Sequence, residues 1–119
     1  MLYSKQLAGL NYGMSTVIKS VNGNAKLSMT IDELELQHCH LIKIDVEGYE
    51  LKVLNSAKST IEKFKPILDI EVNDNTLKLQ KLTDQDIYNW LKDNNYEIVE
   101  TIGHAPQVDV IAIHKNNLK

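Results

Sequence analysis

Two short apolar segments, each broken by charges at alternate positions, constrain this chain more than anything else in it. Leu41-Ile42-Lys43-Ile44-Asp45-Val46 and Ile67-Leu68-Asp69-Ile70-Glu71-Val72 both alternate with the two-residue period of a strand. Between them Leu51, Leu54, Ala57 and Ile61 recur at helical spacing, which predicts a helix from about Tyr49 to Lys63. Pro66 separates that helix from the second strand. Strand, helix, strand in this order predicts a parallel pair joined by a right-handed crossover. Ligands of such sheets bind beyond the carboxyl ends of the strands, which puts Asp45–Glu47 and Glu71–Asp74 at the functional rim.

The rest of the chain extends this α/β pattern. Thr30-Ile31-Asp32-Glu33 is a capping box that opens a short helix with Ile31 and Leu34 inward. Residues 73–82 read as a polar loop. Thr83-Asp84-Gln85-Asp86 opens a further helix with Ile87, Trp90 and Leu91 on one face. Glu97–Ile102 and Asp109–His114 read as strands about a turn at Gly103-His104-Ala105-Pro106, an antiparallel pair. The expected domain is single, with a loop-rich lead-in over 1–26 and an α/β core over 27–115. The lead-in offers one short strand at Ser15–Val21, and Ala25–Met29 is another.

Composition narrows the partners. The chain has 119 residues and a net charge of -3, and all 13 basic residues are Lys. Without Arg and without a basic run, nucleic acid is not an expected partner. No apolar run is long enough to span a membrane, and no secretory leader is visible. A single cysteine, Cys39, excludes an internal disulfide and fits a reducing, cytoplasmic compartment. His38-Cys39-His40 lacks the spacing of a zinc site, so no metal is assigned.

Alternation sorts the strand residues into faces. Ile42, Ile44 and Val46 face one way, as do Leu68, Ile70 and Val72. Lys43 and Asp45 share the opposite face, as do Asp69 and Glu71. In register, Lys43 meets Asp69 and Asp45 lies near Glu71. Asp45, Glu47 and Glu71 then form a group of carboxylates at one strand-end region. Such groups raise one another's pKa and suit a general base or a divalent cation. Glu50 reads instead as a first-turn acid stabilised by the helix dipole. Trp90 reads as core, His114 as a structural residue on an edge-type strand, and His104 as a turn residue near the rim.

Leu41-Ile42-Lys43-Ile44-Asp45-Val46-Glu47-Gly48-Tyr49-Glu50, followed by Val53-Leu54, Ala57, Lys65-Pro66-Ile67-Leu68 and Ile70-Glu71-Val72, resembles the FkbM family of S-adenosylmethionine-dependent methyltransferases. Thr30-Ile31-Asp32 resembles that family's lead-in, and Gly13-Met14-Ser15 a small-residue segment further upstream. The resemblance implies a class I methyltransferase sheet, Rossmann-like, with Leu41–Val46 as its fourth strand and Ile67–Val72 as its fifth. The terminal pair then carries an antiparallel last strand inserted between its neighbours. The implied activity is O-methyl transfer from S-adenosylmethionine to a hydroxyl of a small molecule or sugar. Asp45 or Glu47 is the implied base, with Glu71 in support.

The sequence also departs from the family. Its glycine-rich turn and its ribose-binding acid have no counterpart here, no Gly-x-Gly occurs, and Asp69 stands where an apolar residue is usual. The expected domain is therefore the C-terminal portion of a methyltransferase, lacking its cofactor half. The sheet edge at Leu41–Val46 is then expected to be covered by residues 1–26, by self-association or by another chain, unless the product is an unstable remnant. A degenerate, non-catalytic module for binding or interaction is the alternative reading.

Overall fold

The computed structural model describes residues 30–118. The lead-in and its two expected strands lie outside the described residues. The remaining elements are β1 (Leu41–Ile44), α1 (Glu50–Ser56), α2 (Lys58–Phe64), β2 (Ile67–Asn73), α3 (Asp74–Leu79), α4 (Asp84–Asp93), β3 (Tyr96–His104) and β4 (Gln107–His114). They form an α/β structure around one four-stranded mixed sheet of order β1-β2-β4-β3.

β1 and β2 are parallel, with Lys43 opposite Asp69 and Ile44 opposite Ile70, the register that their charge alternation predicts. β4 runs antiparallel between β2 and β3, so the last strand is the inserted one. His114 is thus on a central strand, not an edge. It is buried, and its Nδ1 accepts from the Asn116 N–H at 3.0 Å.

One face of the sheet carries the core. Ile42, Ile44, Leu68, Ile70, Val72, Val110 and Ala112 pack with Leu54, Leu77, Ile87 and Leu91 of the helices. Each of the Ile, Leu and Val side chains contributes on the order of 1.5–3 kcal/mol by leaving water. Trp90 belongs to this core, and its indole N–H donates to Asn55 Oδ1 at 2.8 Å. The opposite face, with Leu41, Lys43, Ile67, Val99 and Ile102, stays exposed among the described residues.

Several elements differ from expectation, each for a local reason. The helix expected over 49–63 breaks at Ala57, whose φ of -111° and ψ of 11° are not helical. Its second half has its own cap, because the Asp32 carboxylate accepts from the Ser59 and Thr60 N–H groups and from the Thr60 hydroxyl, at 3.2, 2.8 and 2.7 Å. The capping box at Thr30 and Glu33 is present, but it opens only the 3-10 turn Asp32–Leu34. Ile31 is buried there and Leu34 is half-buried.

The expected loop over 73–82 contains helix α3. Asn73 Oδ1 accepts from the N–H groups of Asn75 and Thr76, and Leu77 anchors the helix in the core. β1 stops at Ile44, two residues early, because the Val46 N–H is taken by a Glu50 carboxylate oxygen. The final hairpin turns at Ala105-Pro106 alone, since Gly103 and His104 pair with Val108 and Gln107.

Candidate active site

The segment leaving β1 sets the site. Glu47 and Gly48 both have positive φ, 50° and 103°, which turns the chain sharply from strand into helix α1. A Cβ on Gly48 would lie 2.5 Å from the Thr76 carbonyl oxygen, so the turn presses directly on α3. Glu50, the first residue of α1, reaches back to close it. Its Oε2 accepts from the Val46 N–H at 3.1 Å and its Oε1 from the Gly48 N–H at 3.0 Å. Glu50 is 1% exposed. Burial pushes its pKa up, against the pull of those backbone bonds.

Carboxylate oxygens of Asp45, Glu50 and Glu71 all lie within 4.8 Å of one another. Asp45 is exposed just past the end of β1, and Glu71 is half-buried near the end of β2. With one of the two protonated, its O–H can donate to the other. Asp109 of β4 stands opposite Glu71 in register and adds a fourth negative group. Desolvation, then the Asp45 hydrogen bond and the surrounding negative charge, push Glu71 up to about 7. Gln107 Nε2 donates to Glu71 Oε2 at 2.7 Å. Lys43, one pleat back on the same face, pairs with Asp69 at 3.6 Å.

Both oxygens of Glu50 are engaged by backbone N–H groups, so the part of the cluster open to chemistry is the Asp45–Glu71 pair. With Glu71 raised to about 7, the doubly ionised pair can accept a proton from a neighbouring hydroxyl near neutral pH.

Of the residues singled out from the sequence, the structure brings Asp45 and Glu71 together. Glu47 is exposed on the turn and is not one of the clustered carboxylates. Glu50 takes that third place. Its helix-start position suggested only a dipole role, yet its spacing from Gly48 in a strand–Gly–helix turn was the signal for a carboxylate folded back on the turn. Gln107 was missed altogether, since nothing in sequence pairs it with a residue 36 positions away.

Other expected features sit apart from the pair. Tyr49 is exposed, with Lys52 Nζ 5.8 Å from its ring centre. Both line a cleft of about 320 Å³ that also includes Gly48, Asn55 and Gln80. Asp45, Glu50 and Glu71 do not line that cleft. His104 is exposed at the hairpin tip, opposite Gln107. His38 and His40 are exposed, with stacked rings 6.3 Å apart, and Cys39 is buried. No helix among the described residues is long and apolar enough to cross a membrane.

No curated protein and no solved structure matches the chain. The Methyltransferase FkbM domain, as a sequence family, matches residues 16–98. That span contains the Asp45–Glu50 turn, both parallel strands and Glu71, which carry most of the resemblance seen in the sequence. The match covers well over half of the chain, and on it the chain belongs to the FkbM methyltransferase family.

Proposed function

We propose that this chain forms the acceptor side of a methyl-transfer site on a class I methyltransferase sheet, with the Asp45–Glu71 pair as the proton acceptor for a substrate hydroxyl. The observation that carries the reading is the placement of two closely spaced carboxyls at the carboxyl ends of adjacent parallel strands, with Glu71 pushed up to about 7. An attacking hydroxyl must lose its proton as the new O–C bond forms. A pair whose Glu71 is raised to about 7 takes up that proton in its doubly ionised form, which relieves the repulsion of two anions side by side. The exposed position of Asp45 leaves the pair open to a small-molecule or sugar acceptor.

S-adenosylmethionine, the methyl donor of the family, would supply an electrophilic methyl group. The described residues hold only two glycines, Gly48 and Gly103, at a tight turn and in a strand. Neither forms a loop of backbone N–H groups fit to grip the donor's nucleoside. The cofactor side of the site, in this reading, comes from outside the described residues, and β1, at the edge of the sheet among the described residues, is where a further strand would join.

Two measurements test this. Calorimetric titration of the chain with S-adenosylmethionine at millimolar concentration should give no saturable isotherm, and a saturable one overturns the acceptor-side assignment. Mixed with a polypeptide that carries a glycine-rich FkbM-type cofactor half, the chain should transfer labelled methyl groups to a hydroxyl acceptor, and Asp45→Asn should abolish transfer. Failure of the mixture across a panel of sugars and hydroxylated small molecules would favour a non-catalytic interaction module.

A further inference from the structure

Gln107 lies outside the segment that matches the family, yet it touches the carboxyl pair. Its Nε2 donates to Glu71 Oε2 at 2.7 Å, while its Oε1 faces Asn73 Nδ2 at 3.4 Å. Asn73 is itself fixed, because its Oδ1 caps helix α3 through the N–H groups of Asn75 and Thr76. The backbone holds the same place, since Asp74 N–H donates to the Pro106 carbonyl at 2.8 Å and Asn73 pairs with Gln107 in the ladder. A chain of contacts thus runs from a helix cap through one amide to the carboxyl that meets Asp45.

We propose that Gln107, oriented by Asn73, is a positioning residue that holds the Glu71 carboxyl in one orientation beside Asp45. Gln107 is exposed, and its amide could be hydrated at no cost, yet it is held from both sides. With one oxygen of Glu71 fixed by an N–H donor, the carboxyl plane cannot turn freely. The groups facing Glu71 are otherwise negative: Asp45 beyond β1, Glu50 on α1 and Asp109 on β4. Lys43, on the same face, is engaged by Asp69. The amide of Gln107 is therefore the neutral donor that favours the ionised form of Glu71 against those neighbours.

This proposal rests on the acceptor-side reading of the pair, but its test does not. The full chain, labelled with ¹³C at glutamate carboxyls, is titrated by NMR with neither cofactor nor acceptor. Gln107→Met removes the donor at similar length, and the Glu71 midpoint should rise by about one pH unit. Gln107→Lys replaces the amide by a cationic donor, and the midpoint should fall below the wild-type value. Opposite shifts in two variants that both remain folded, judged by Trp90 fluorescence, are not what general loosening produces. An unmoved midpoint in Gln107→Met, or equal shifts in both variants, overturns the proposal. If the shifts appear while the methyl-transfer mixture stays inert, Gln107 still positions Glu71 and only the catalytic reading falls. If transfer occurs without the shifts, only the role of Gln107 falls.

Discussion

Lys43 Nζ lies 3.6 Å from Asp69 Oδ2, one pleat behind the carboxyl pair and on the same open face of the sheet. The lysine side chain is 59% exposed and the aspartate 23%. Among the described residues, Asp69 Oδ1 is buried with no hydrogen-bond partner. Lys43 thus offsets a charge whose own hydration is incomplete. Lys43→Met should lower stability by about 1 kcal/mol, since the pair is partly solvated and its Asp is left alone. Asp69→Leu in the Lys43→Met background should recover most of that loss. Urea unfolding of the four variants in the cycle measures the coupling, expected at about 0.5–1 kcal/mol. Additive effects would mean that the two residues are neighbours without interacting.

The carboxyl of Glu71 gives stability a distinctive pH dependence. Below its ordinary value of 4.5 it is protonated in the folded and unfolded chains alike. Between 4.5 and about 7 the unfolded chain releases the proton while the folded chain keeps it. The unfolded state then binds fewer protons, so stability falls as pH rises. Glu71's contribution is full below the lower limit and lost once pH passes the upper one. Glu71→Gln, which cannot ionise, should flatten this slope. At pH 8 it should be more stable than wild type by about 1 kcal/mol, a value reduced from the full linkage because part of Glu71 stays in water. Thermal melts from pH 4 to 9 read it directly. A slope unchanged by the substitution would place the titration elsewhere.

The strand residues of the site were legible in sequence because charge in a sheet interior is rare enough to mark both face and register. Lys43 opposite Asp69, and Asp45 beside Glu71, follow from a two-residue period and a parallel crossover. What escaped depends on groups distant in sequence or on turn chemistry. The break at Ala57 is stabilised by Asp32, 28 positions before Thr60, so a continuous apolar spacing hid it. Helix α3 has one buried anchor, Leu77, and a cap from a residue that is also the last of a strand. Leu79 on the same helix is 78% exposed, so no periodic apolar stripe announces the element. Glu50 joins the cluster in place of Glu47 because burial at that turn follows from the two positive-φ residues before α1, which leave one carboxylate in and the other out.

Asp32 tests the tertiary cap on α2. Its carboxylate satisfies two backbone N–H groups and the Thr60 hydroxyl, and Thr60 is buried. Asp32→Ala should cost about 1–2 kcal/mol, in the range of a lost helix cap. Asp32→Asn keeps one acceptor oxygen and should recover about half of that. Amide exchange should accelerate at Ser59 and Thr60 more than in α4, which has its own cap between the Thr83 N–H and Asp86 Oδ2 at 2.9 Å. Uniform acceleration across both helices would point to global destabilisation alone.

Glu50 separates structure from charge at the pair. Glu50→Ala leaves the Val46 and Gly48 N–H groups without their buried acceptor and should cost about 2–3 kcal/mol. Glu50→Gln keeps one acceptor oxygen and sets its NH2 against the other N–H, for a cost of about 1–2 kcal/mol. Both variants remove a negative charge near Glu71, so the Glu71 midpoint should fall in each. Carboxyl NMR of the Gln variant is the cleaner reading, because its turn stays closest to native. A midpoint that fails to fall would mean that Glu50 is already neutral there.

Gly48 ties the turn to the pair mechanically. Its φ of 103° is a conformation that side-chain-bearing residues rarely adopt, and an added Cβ would meet the Thr76 carbonyl at 2.5 Å. The obstacle is backbone, so it cannot rotate aside as a flexible side chain would. Gly48→Ala should therefore cost about 3 kcal/mol, from strain and displacement together. The displacement has a direction: α3 must move away or the turn must lift. Either movement separates the segment after β1 from the end of β2, and with it Asp45 from Glu71. The Glu71 midpoint should then drop toward the ordinary carboxylate range as its partner withdraws and water enters. Loss of stability with an unshifted midpoint would show that the close approach of Gly48 to α3 serves packing alone and leaves the carboxyl pair intact.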